Sequence, residues 1–218
     1  MTDNKPPLDP HPLSDYVAWA GNRNRDPILE VLKQKFPDKL GKVLEFASGS
    51  GMHLNFFAPH FHHLNFQPTD KDSEIFNAMK ELTRELGNEN VVEPFQLDLT
   101  DSSTWSEHAA NNAYDAIFCI NIFQVAPISI ADGMMQCASQ LLKQNGFLLI
   151  YGPFQVDGSF TTSSNEEFHD TLSSAGVSEW GLKDVADLKQ AAEKHDLQLA
   201  EIIDMPANNF SLIIKKNS

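Results

Sequence analysis

Residues 44–53 read LEFASGSGMH, a short apolar segment that contains one carboxylate and is followed by two glycines with a single residue between them. The apolar run predicts a buried strand, and Gly49 and Gly51 predict the turn after it. In an open α/β sheet, such a turn lets a ligand approach the backbone at the N-terminus of the next helix. The stretch therefore predicts a ligand-binding turn, and the rest of the chain should indicate the ligand.

The chain after this point alternates short apolar segments with amphipathic ones. The predicted strands are residues 43–47, 64–68, 91–97, 116–120, 147–151, 199–204 and 210–214. The predicted helices between them are residues 52–61, 73–86, 102–110, 129–143 and 184–195. This alternation is typical of a parallel sheet covered by helices, so we expect a three-layer α/β fold. Only MPANN separates the last two strands, which is too short for a crossover helix, so they should pair antiparallel.

Two segments depart from the alternation. We interpret residues 1–25 as an N-terminal arm, extended in its proline-rich first 13 residues. The first helix should begin at Asp26 and Pro27, which suit the N-cap and the first helical position, and should end near Pro37. Residues 153–181 are much longer than an ordinary connection, and we interpret them as an inserted segment that serves as a substrate lid.

Composition limits the class of protein. The 218 residues, 41% hydrophobic and 21% charged, predict one globular domain. Because no apolar run approaches the roughly 20 residues of a spanning helix, and no secretion signal is evident, we expect a cytoplasmic protein that does not bind membranes. A net charge of −14 opposes attraction to a phosphate backbone and disfavours nucleic acid as a partner. Cys119 and Cys137 lie in apolar surroundings and should be buried thiols.

Three acidic residues fall at the ends of successive predicted strands and bear on the ligand. Asp70 follows Gly51 by the spacing at which an acid accepts hydrogen bonds from ribose hydroxyls, which suits any nucleoside cofactor. A dinucleotide fingerprint would have a third small residue where this chain has Leu54. Glu45 would repel a pyrophosphate but suits a cationic amino-acid moiety. With Asp98 available for an adenine amino group, the three acids fit S-adenosylmethionine better than NAD.

At this point the sequence resembles the class I S-adenosylmethionine-dependent methyltransferases over roughly residues 42–216. Their first motif, an acid followed by alternating glycines, matches Glu45, Ala47, Gly49 and Gly51, with alanine in place of the usual first glycine. The resemblance implies that Asp70 contacts the ribose and Asp98 the adenine. It also implies a seven-stranded Rossmann-like sheet of order 3-2-1-4-5-7-6 with the last strand antiparallel. S-adenosylhomocysteine would be the product.

A closer resemblance, from about residue 16 onward, is to the uncharacterised methyltransferase-like 26 family. The motifs that carry it are NRNRDPIL, LEFASGSGMH, QPTDKD, INIFQVAP, YGPF, DGSFTTSSNEEF, EWGLKD and MPANN. The family commonly has histidine where this chain has Gln124, which leaves that position without a histidine base. The resemblance favours Asn24 and Arg25 as cofactor contacts, with the arginine holding the cofactor carboxylate.

The remaining candidates surround the predicted site. Asn121, at the end of the fourth strand, is a candidate for the cofactor and for the substrate. We expect the other substrate-site candidates at the same edge of the sheet: Gln124, Tyr151, Asn208 and Asn209. Both asparagines of the last hairpin could equally be turn residues. His53 is either a cofactor neighbour or a partly buried surface histidine. His60, His62 and His63 lack further ligands at suitable spacing, so we predict no metal site.

Three functions remain open at this stage. The favoured one is an S-adenosylmethionine-dependent methyltransferase with a small-molecule acceptor, because the chain is acidic and the inserted segment would enclose the site. A NAD-type oxidoreductase should have a small residue at position 54 and a parallel last strand. A binding or scaffold protein with the methyltransferase fold but no turnover is consistent with Gln124.

Overall fold

The computed structural model describes residues 5–109 and 114–216. A central sheet is formed by β1 Gly41–Phe46, β2 Leu64–Asp70, β3 Phe95–Gln96, β4 Tyr114–Ile120, β5 Leu142–Gly152, β9 Leu197–Met205 and β10 Asn209–Lys216. A second, small sheet is formed by β6 Phe154–Val156, β7 Ser159–Phe160 and β8 Lys183–Asp184. The helices are α1 Asp15–Lys35, α2 Met52–Phe57, α3 Phe76–Leu86, α4 Ser103–Ala109, α5 Ile130–Leu141, α6 Ser163–Ser173 and α7 Val185–Glu193.

The central sheet has the order β3-β2-β1-β4-β5-β10-β9. The first five strands are parallel, whereas β10 pairs antiparallel with both β5 and β9. The reversal occurs because only the short 3₁₀ turn Pro206–Asn208 joins β9 to β10. Counted within this sheet alone, the order is the predicted 3-2-1-4-5-7-6, so the Rossmann-like methyltransferase fold is confirmed.

Alternating strand residues build a core on each face of the sheet. In β1, Leu44 and Phe46 pack with α5 and α7, whereas Val43 packs with α1 and α2. All three side chains are fully buried. The sheet is therefore the middle layer of three, as the near-continuous apolar strands predicted. Cys119 and Cys137 are both buried free thiols, as predicted.

Helix α1 begins at Asp15, so the prediction of a helix start at Asp26 and of an arm reaching residue 25 is wrong. The Ser14 side chain caps the helix by accepting a hydrogen bond from the Val17 amide. Pro27 lies inside the helix, where proline normally disrupts the hydrogen-bond ladder. Packing of the α1 face against the sheet core, through Ile28 and Leu32, compensates for this loss. Residues 5–10 have no regular structure, which fits the predicted extended arm.

Prolines also shorten two other predicted elements. The predicted strand at 91–97 has only two residues in the ladder, because Pro94 cannot donate a backbone hydrogen bond. Val91 makes an isolated bridge to Phe66. The predicted helix at 52–61 ends as an α-helix at Phe57 and continues as the 3₁₀ turn Ala58–His60, which contains Pro59. The predicted helix at 102–110 is present as α4, and its residue 110 lies outside the described residues.

The inserted segment contains structure of its own. It folds as the β6–β7 hairpin and helix α6, and β6 then pairs parallel with β8. The Asn165 side chain in α6 donates a hydrogen bond to the Asn208 carbonyl, and the Gly181 amide donates one to the Gln124 carbonyl. The segment is thus attached to two loops at the carboxyl edge of the central sheet. Among the described residues, no helix combines the length and apolar character that crossing a membrane requires.

Candidate functional site

The turn after β1 is built from alternating left-handed residues. Ala47, Gly49 and Gly51 have φ angles of 51°, 55° and 76°. Glycine adopts this conformation freely, whereas a residue with a Cβ is strained there by about 1–2 kcal/mol. The Ala47 backbone is therefore strained, at the position where the first motif of class I methyltransferases usually has a glycine. Strained residues persist only where the surrounding structure holds them in place, and they are common at functional sites.

Asp70, at the end of β2, holds this turn. Its Oδ2 atom accepts a hydrogen bond of 3.0 Å from the Gly49 amide, and its Oδ1 atom accepts one of 3.0 Å from the Asp72 amide. The side chain is buried, with 8% of its surface exposed. A carboxylate oxygen has more than one acceptor site, so Asp70 can also receive hydroxyl groups of a ligand. The structure thus brings together the predicted glycine turn and the predicted ribose-contacting acid.

The Glu45 carboxyl group lies beneath the turn and is nearly fully buried. Its pKa is raised to about 8, mainly by burial; a hydrogen bond from Ser48 opposes this rise and the nearby Asp70 charge adds to it. Its Oε2 atom has no hydrogen-bond partner among the described residues. A buried oxygen without a partner is costly, so a cationic ligand group nearby would stabilise the carboxylate form.

These features fit the cofactor that the sequence predicts. At Gly49 and Gly51 the backbone of the turn carries no Cβ, and Glu45 offers a buried acceptor. In contrast, Leu54 is a fully buried core residue of α2, so the position of the third small residue of a dinucleotide site is filled. The residues present suit S-adenosylmethionine better than a pyrophosphate.

Replacing Gly51 with alanine tests whether the turn matters for ligand binding as well as for folding. A Cβ at Gly51 would lie 2.7 Å from the Met79 Cγ atom, with φ at 76°. We expect Gly51→Ala to lower the free energy of unfolding by at least about 1–2 kcal/mol and to weaken S-adenosylhomocysteine binding. Denaturant titration and calorimetry measure the two effects.

Gly87→Ala is the matched control for this change. Gly87 ends α3 with φ at 68°, and apart from its chain neighbours no described residue has a heavy atom within 4 Å of the added Cβ. It should lose comparable stability from backbone strain but retain wild-type ligand affinity. Equal affinity losses in the two variants would contradict a specific role for the Gly51 turn.

Asp98 adopts a turn-stabilising role in the structure. Its Oδ1 atom accepts hydrogen bonds from the Thr100 amide and hydroxyl, at 2.8 and 2.7 Å. Its own amide donates to the Thr104 hydroxyl at the start of α4. Asp98 follows β3 by two residues and is partly exposed, so a contact between its other oxygen and an adenine stays a prediction.

Asn24 and Arg25 lie on α1 and contact α2. The Asn24 Oδ1 atom is 2.7 Å from His53 Nε2, and the Arg25 guanidinium stacks 4.5 Å from the centre of the Phe56 ring. Burial, together with the smaller effect of the Arg25 charge, lowers the pKa of His53 to about 4. The described contacts of Asn24 and Arg25 are thus with α2, although the buried Arg25 Nε atom has no hydrogen-bond partner in the part of the chain that the structure describes. Their contact with the cofactor stays a prediction.

Three substrate-site candidates lie at the ends of β4 and β5. Asn121 has a left-handed φ of 57°, donates its amide to the Tyr151 carbonyl and accepts a hydrogen bond from the Gln124 side chain. The Gln124 Oε1 atom faces Gly152, 3.8 Å from where a Cβ would lie. The Tyr151 ring is buried in the core and burial raises its pKa to about 12, so it stays a phenol at neutral pH. Asn121 and Gln124 are the better placed of the three.

The two asparagines of the last hairpin have different surroundings. Asn209 donates to the Pro206 and Ala207 carbonyls, which is the turn role. Asn208 has a left-handed φ of 59° and an exposed side chain. Asn165, which was not predicted as a site residue, is buried and donates to both the Thr161 hydroxyl and the Asn208 carbonyl. The local sequence signal there is Thr162, a residue suited to a helix N-cap, which says nothing of the distant hairpin.

The histidine run and the surface grooves lie elsewhere. His63 Nε2 is 2.8 Å from the Pro37 carbonyl, and the described residues contain no group of three or more His, Cys, Asp or Glu side chains that could hold a metal ion. A groove of about 470 Å³ lies along α3 and the segment before β3, lined by residues including Met79, Arg84 and Val92. The glycine turn does not line this groove. The candidate site is therefore identified by the chemistry of its residues and not by the shape of the surface.

Comparison with known proteins agrees with the architecture. A profile of the family described as "Protein of unknown function (DUF938)" matches residues 15–216. An O-methyltransferase family protein from Burkholderia thailandensis superposes with a TM-score of 0.74 at 17% identity, covering 94% of this chain and 58% of that protein. An O-methyltransferase family 2 protein from Planctomyces limnophilus, solved with apigenin, gives 0.74 and 17%, with 92% and 60% covered.

A third similar structure is CalO1, a methyltransferase in calicheamicin biosynthesis, in its S-adenosylhomocysteine-bound form. Its TM-score is 0.72 at 13% identity, and the match covers 93% of this chain and 56% of that protein. This chain therefore spans little more than half the length of these proteins. At such identities the likeness establishes the fold.

Proposed function

This chain belongs to the DUF938 family of proteins of unknown function, and we propose that it is an S-adenosylmethionine-dependent methyltransferase with a small-molecule acceptor. The observation that carries the proposal is the buried Asp70 carboxylate bonded to the Gly49 amide within a turn of alternating left-handed residues. Its setting, the carboxyl edge of a sheet with this strand order, is where open α/β sheets bind ligands. The motif resemblance to methyltransferase-like 26 supports the same activity, and we propose kinship with that family.

The glycine turn and the three acidic residues would each contact a different part of the cofactor. Gly49 and Gly51 admit it close to the backbone, Asp70 accepts from its ribose, and Asp98 accepts from its adenine. Glu45 provides negative charge beneath its cationic amino-acid portion. When bound, S-adenosylmethionine supplies a methyl group activated by a sulfonium, so the protein mainly has to align the acceptor and exclude water.

The acceptor would lie on the side of the turn where the inserted segment is attached. Asn121, Gln124 and Asn208 offer amide groups that can orient a polar acceptor, and none of them is a general base at neutral pH. Enclosure by the inserted segment and the net charge of −14 favour a small molecule over nucleic acid. We propose that acceptors enter between the Gln124 loop and the last hairpin.

Calorimetric titration with S-adenosylmethionine and S-adenosylhomocysteine tests the cofactor. We expect saturable binding of both ligands at one site. Circular dichroism of the same sample shows whether it is folded. A folded sample that binds neither ligand would refute the proposal.

Turnover is tested separately, because a methyltransferase fold alone does not establish activity. The protein is incubated with radiolabelled S-adenosylmethionine and a metabolite extract, and label is followed into small molecules. Transfer that is lost in Asp70→Ala supports the enzyme. Cofactor binding without transfer to any fraction would instead favour a binding or scaffold protein, which the absence of a base at Gln124 also fits.

A further inference from the structure

Three aromatic rings from two separate elements surround one ammonium group. The Lys5 Nζ atom lies 5.8 Å from the centre of the Tyr16 ring, 5.9 Å from that of Trp19 and 5.5 Å from that of Phe168. Tyr16 and Trp19 belong to α1, whereas Phe168 belongs to α6 in the inserted segment. All three distances are within the range in which a cation is attracted to the face of a ring. We call Tyr16, Trp19 and Phe168 the aromatic cage.

The segment between Lys5 and α1 passes over the glycine turn. A Cβ added at Gly49 would lie 3.3 Å from the Pro12 Cβ atom. Local hydrogen bonds shape this part of the arm: the His11 amide donates to the Asp9 carboxylate, and the Ser14 hydroxyl donates to the Asp9 carbonyl. Its prolines restrict the backbone further. Residues 5–13 are therefore fixed at one end by α1 and at the other by the aromatic cage, with Pro12 beside Gly49.

We propose that the aromatic cage is a binding site for an alkylammonium group, that its ligand in this chain is Lys5, and that its occupancy holds residues 5–13 across the Gly49 turn. The site joins three elements around the carboxyl edge, namely the arm, α1 and the inserted segment. Release of Lys5 frees the arm and uncovers the turn. The cage itself stands without any enzymatic function, whereas its effect on cofactor release rests on the proposed function.

The chemistry of the cage explains why a lysine suits it. The ammonium group is compact and can approach several ring faces at once, and its flexible stem can reach across from the arm. The Tyr16 and Trp19 rings are 5.9 Å apart and tilted by 35°, so they present adjoining faces. The Arg23 guanidinium also stacks on Trp19, 4.8 Å from the ring centre, which helps to fix that ring.

The tryptophan indole signals in a nuclear magnetic resonance spectrum report on the cage directly. The chain has three tryptophans, so Trp19→Phe assigns the signal of interest. We expect Lys5→Gln to shift the Trp19 indole resonance and also the Gly49 amide resonance. Gly49 is connected to Lys5 through the arm, because Pro12, seven residues after Lys5, lies beside Gly49. Lys33→Gln, which removes an exposed positive charge elsewhere on α1, should leave both resonances as in wild type.

Tetramethylammonium chloride tests the ligand class without any cofactor. It should shift the Trp19 resonance of Lys5→Gln saturably, and this response should weaken in Lys5→Gln/Phe168→Leu. Wild type should respond at higher concentration, because Lys5 competes for the cage. Sodium chloride at equal ionic strength should not reproduce the response. Unchanged Trp19 and Gly49 resonances in Lys5→Gln, or equal responses to the two salts, would overturn the proposal.

Stopped-flow measurement of S-adenosylhomocysteine dissociation tests the consequence for the turn. Loss of a partly exposed cation–π contact should raise the dissociation rate of Lys5→Gln by about two- to fivefold. Lys33→Gln should release the ligand at the wild-type rate. If wild type binds no S-adenosylhomocysteine, the methyltransferase proposal fails while the resonance test still decides the cage. If Lys5→Gln moves the resonances but releases ligand at the wild-type rate, the arm does not cover the site and that part of the proposal fails.

Discussion

Asp70→Asn is expected to weaken S-adenosylmethionine binding by about 10- to 100-fold. The substitution keeps the size of the side chain but removes its charge. Hydrogen bonds to a charged group contribute about 1.5–3 kcal/mol, so the weakened contacts to the Gly49 amide and to the ribose hydroxyls account for a loss of this size. Calorimetry at constant pH measures the affinity, and circular dichroism checks the fold.

Asp72→Asn provides a close control for this change. Asp72 is exposed, lies two residues away, and its side chain caps the 3₁₀ turn Ser73–Ile75 through the Glu74 amide. Removing its charge changes the electrostatic field near the site but none of the proposed contacts. We expect less than a threefold change in affinity. A folded Asp70→Asn protein that binds as tightly as Asp72→Asn would contradict the role of Asp70 as the ribose acceptor.

The fold was predictable because local patterns and the topology agree. Continuous apolar strands such as β4 and β5 indicate burial on both faces, and the amphipathic segments between them supply the covering helices. The reversed last strand followed from the length of MPANN alone, since so short a connection cannot cross the sheet. These features depend on near neighbours in sequence, which a single chain reveals.

The position of the arm depends instead on distant contacts, and the start of α1 depends on such contacts together with the local Ser14 cap. Asp26 and Pro27 carry the signals of a helix start, but α1 begins 11 residues earlier, where it also packs against α2. A Cβ at Gly21 would collide with the Met52 side chain, which shows how closely the two helices approach. Neither this approach nor the meeting of Lys5 with Phe168 leaves a local pattern. At the start of α1, tertiary packing and the Ser14 cap outweigh the helix-start signal of Asp26 and Pro27.

The sequence indicated which acidic residues are candidates for the site, but it did not indicate their protonation states. Glu45, Asp70 and Asp98 were identified from their positions at strand ends, and Asp70 indeed contacts the glycine turn. The pKa of Glu45 depends on its burial, the Ser48 hydrogen bond and the Asp70 charge, which only the folded structure brings together. The pairing of His53 with Asn24 across two helices is likewise a tertiary feature.

The altered pKa values of Glu45 and His53 predict how stability depends on pH. The pKa of Glu45 rises from 4.5 in the unfolded chain to about 8 in the folded one, so the folded state retains a proton that the unfolded state has released. Stability therefore falls as pH rises between about 4.5 and 8. The pKa of His53 falls from 6.5 to about 4, so its contribution is lost as pH falls between those values. The two effects oppose each other between about pH 4.5 and 6.5, and Glu45 acts alone from pH 6.5 to about 8.

Glu45→Gln should remove the alkaline part of this dependence. Wild type should lose about 2 kcal/mol of unfolding free energy between pH 6.5 and 8, because one pKa unit corresponds to about 1.4 kcal/mol. The variant should be flat over that range and should lose stability only towards acid, where His53 is protonated. Denaturant titrations at half-unit pH steps measure both curves. Glu93→Gln, which changes a largely exposed carboxylate, should follow the wild-type curve. If Glu45→Gln also follows it, the Glu45 carboxyl group is already ionised in the folded protein, and charge from the cofactor is not needed to ionise it.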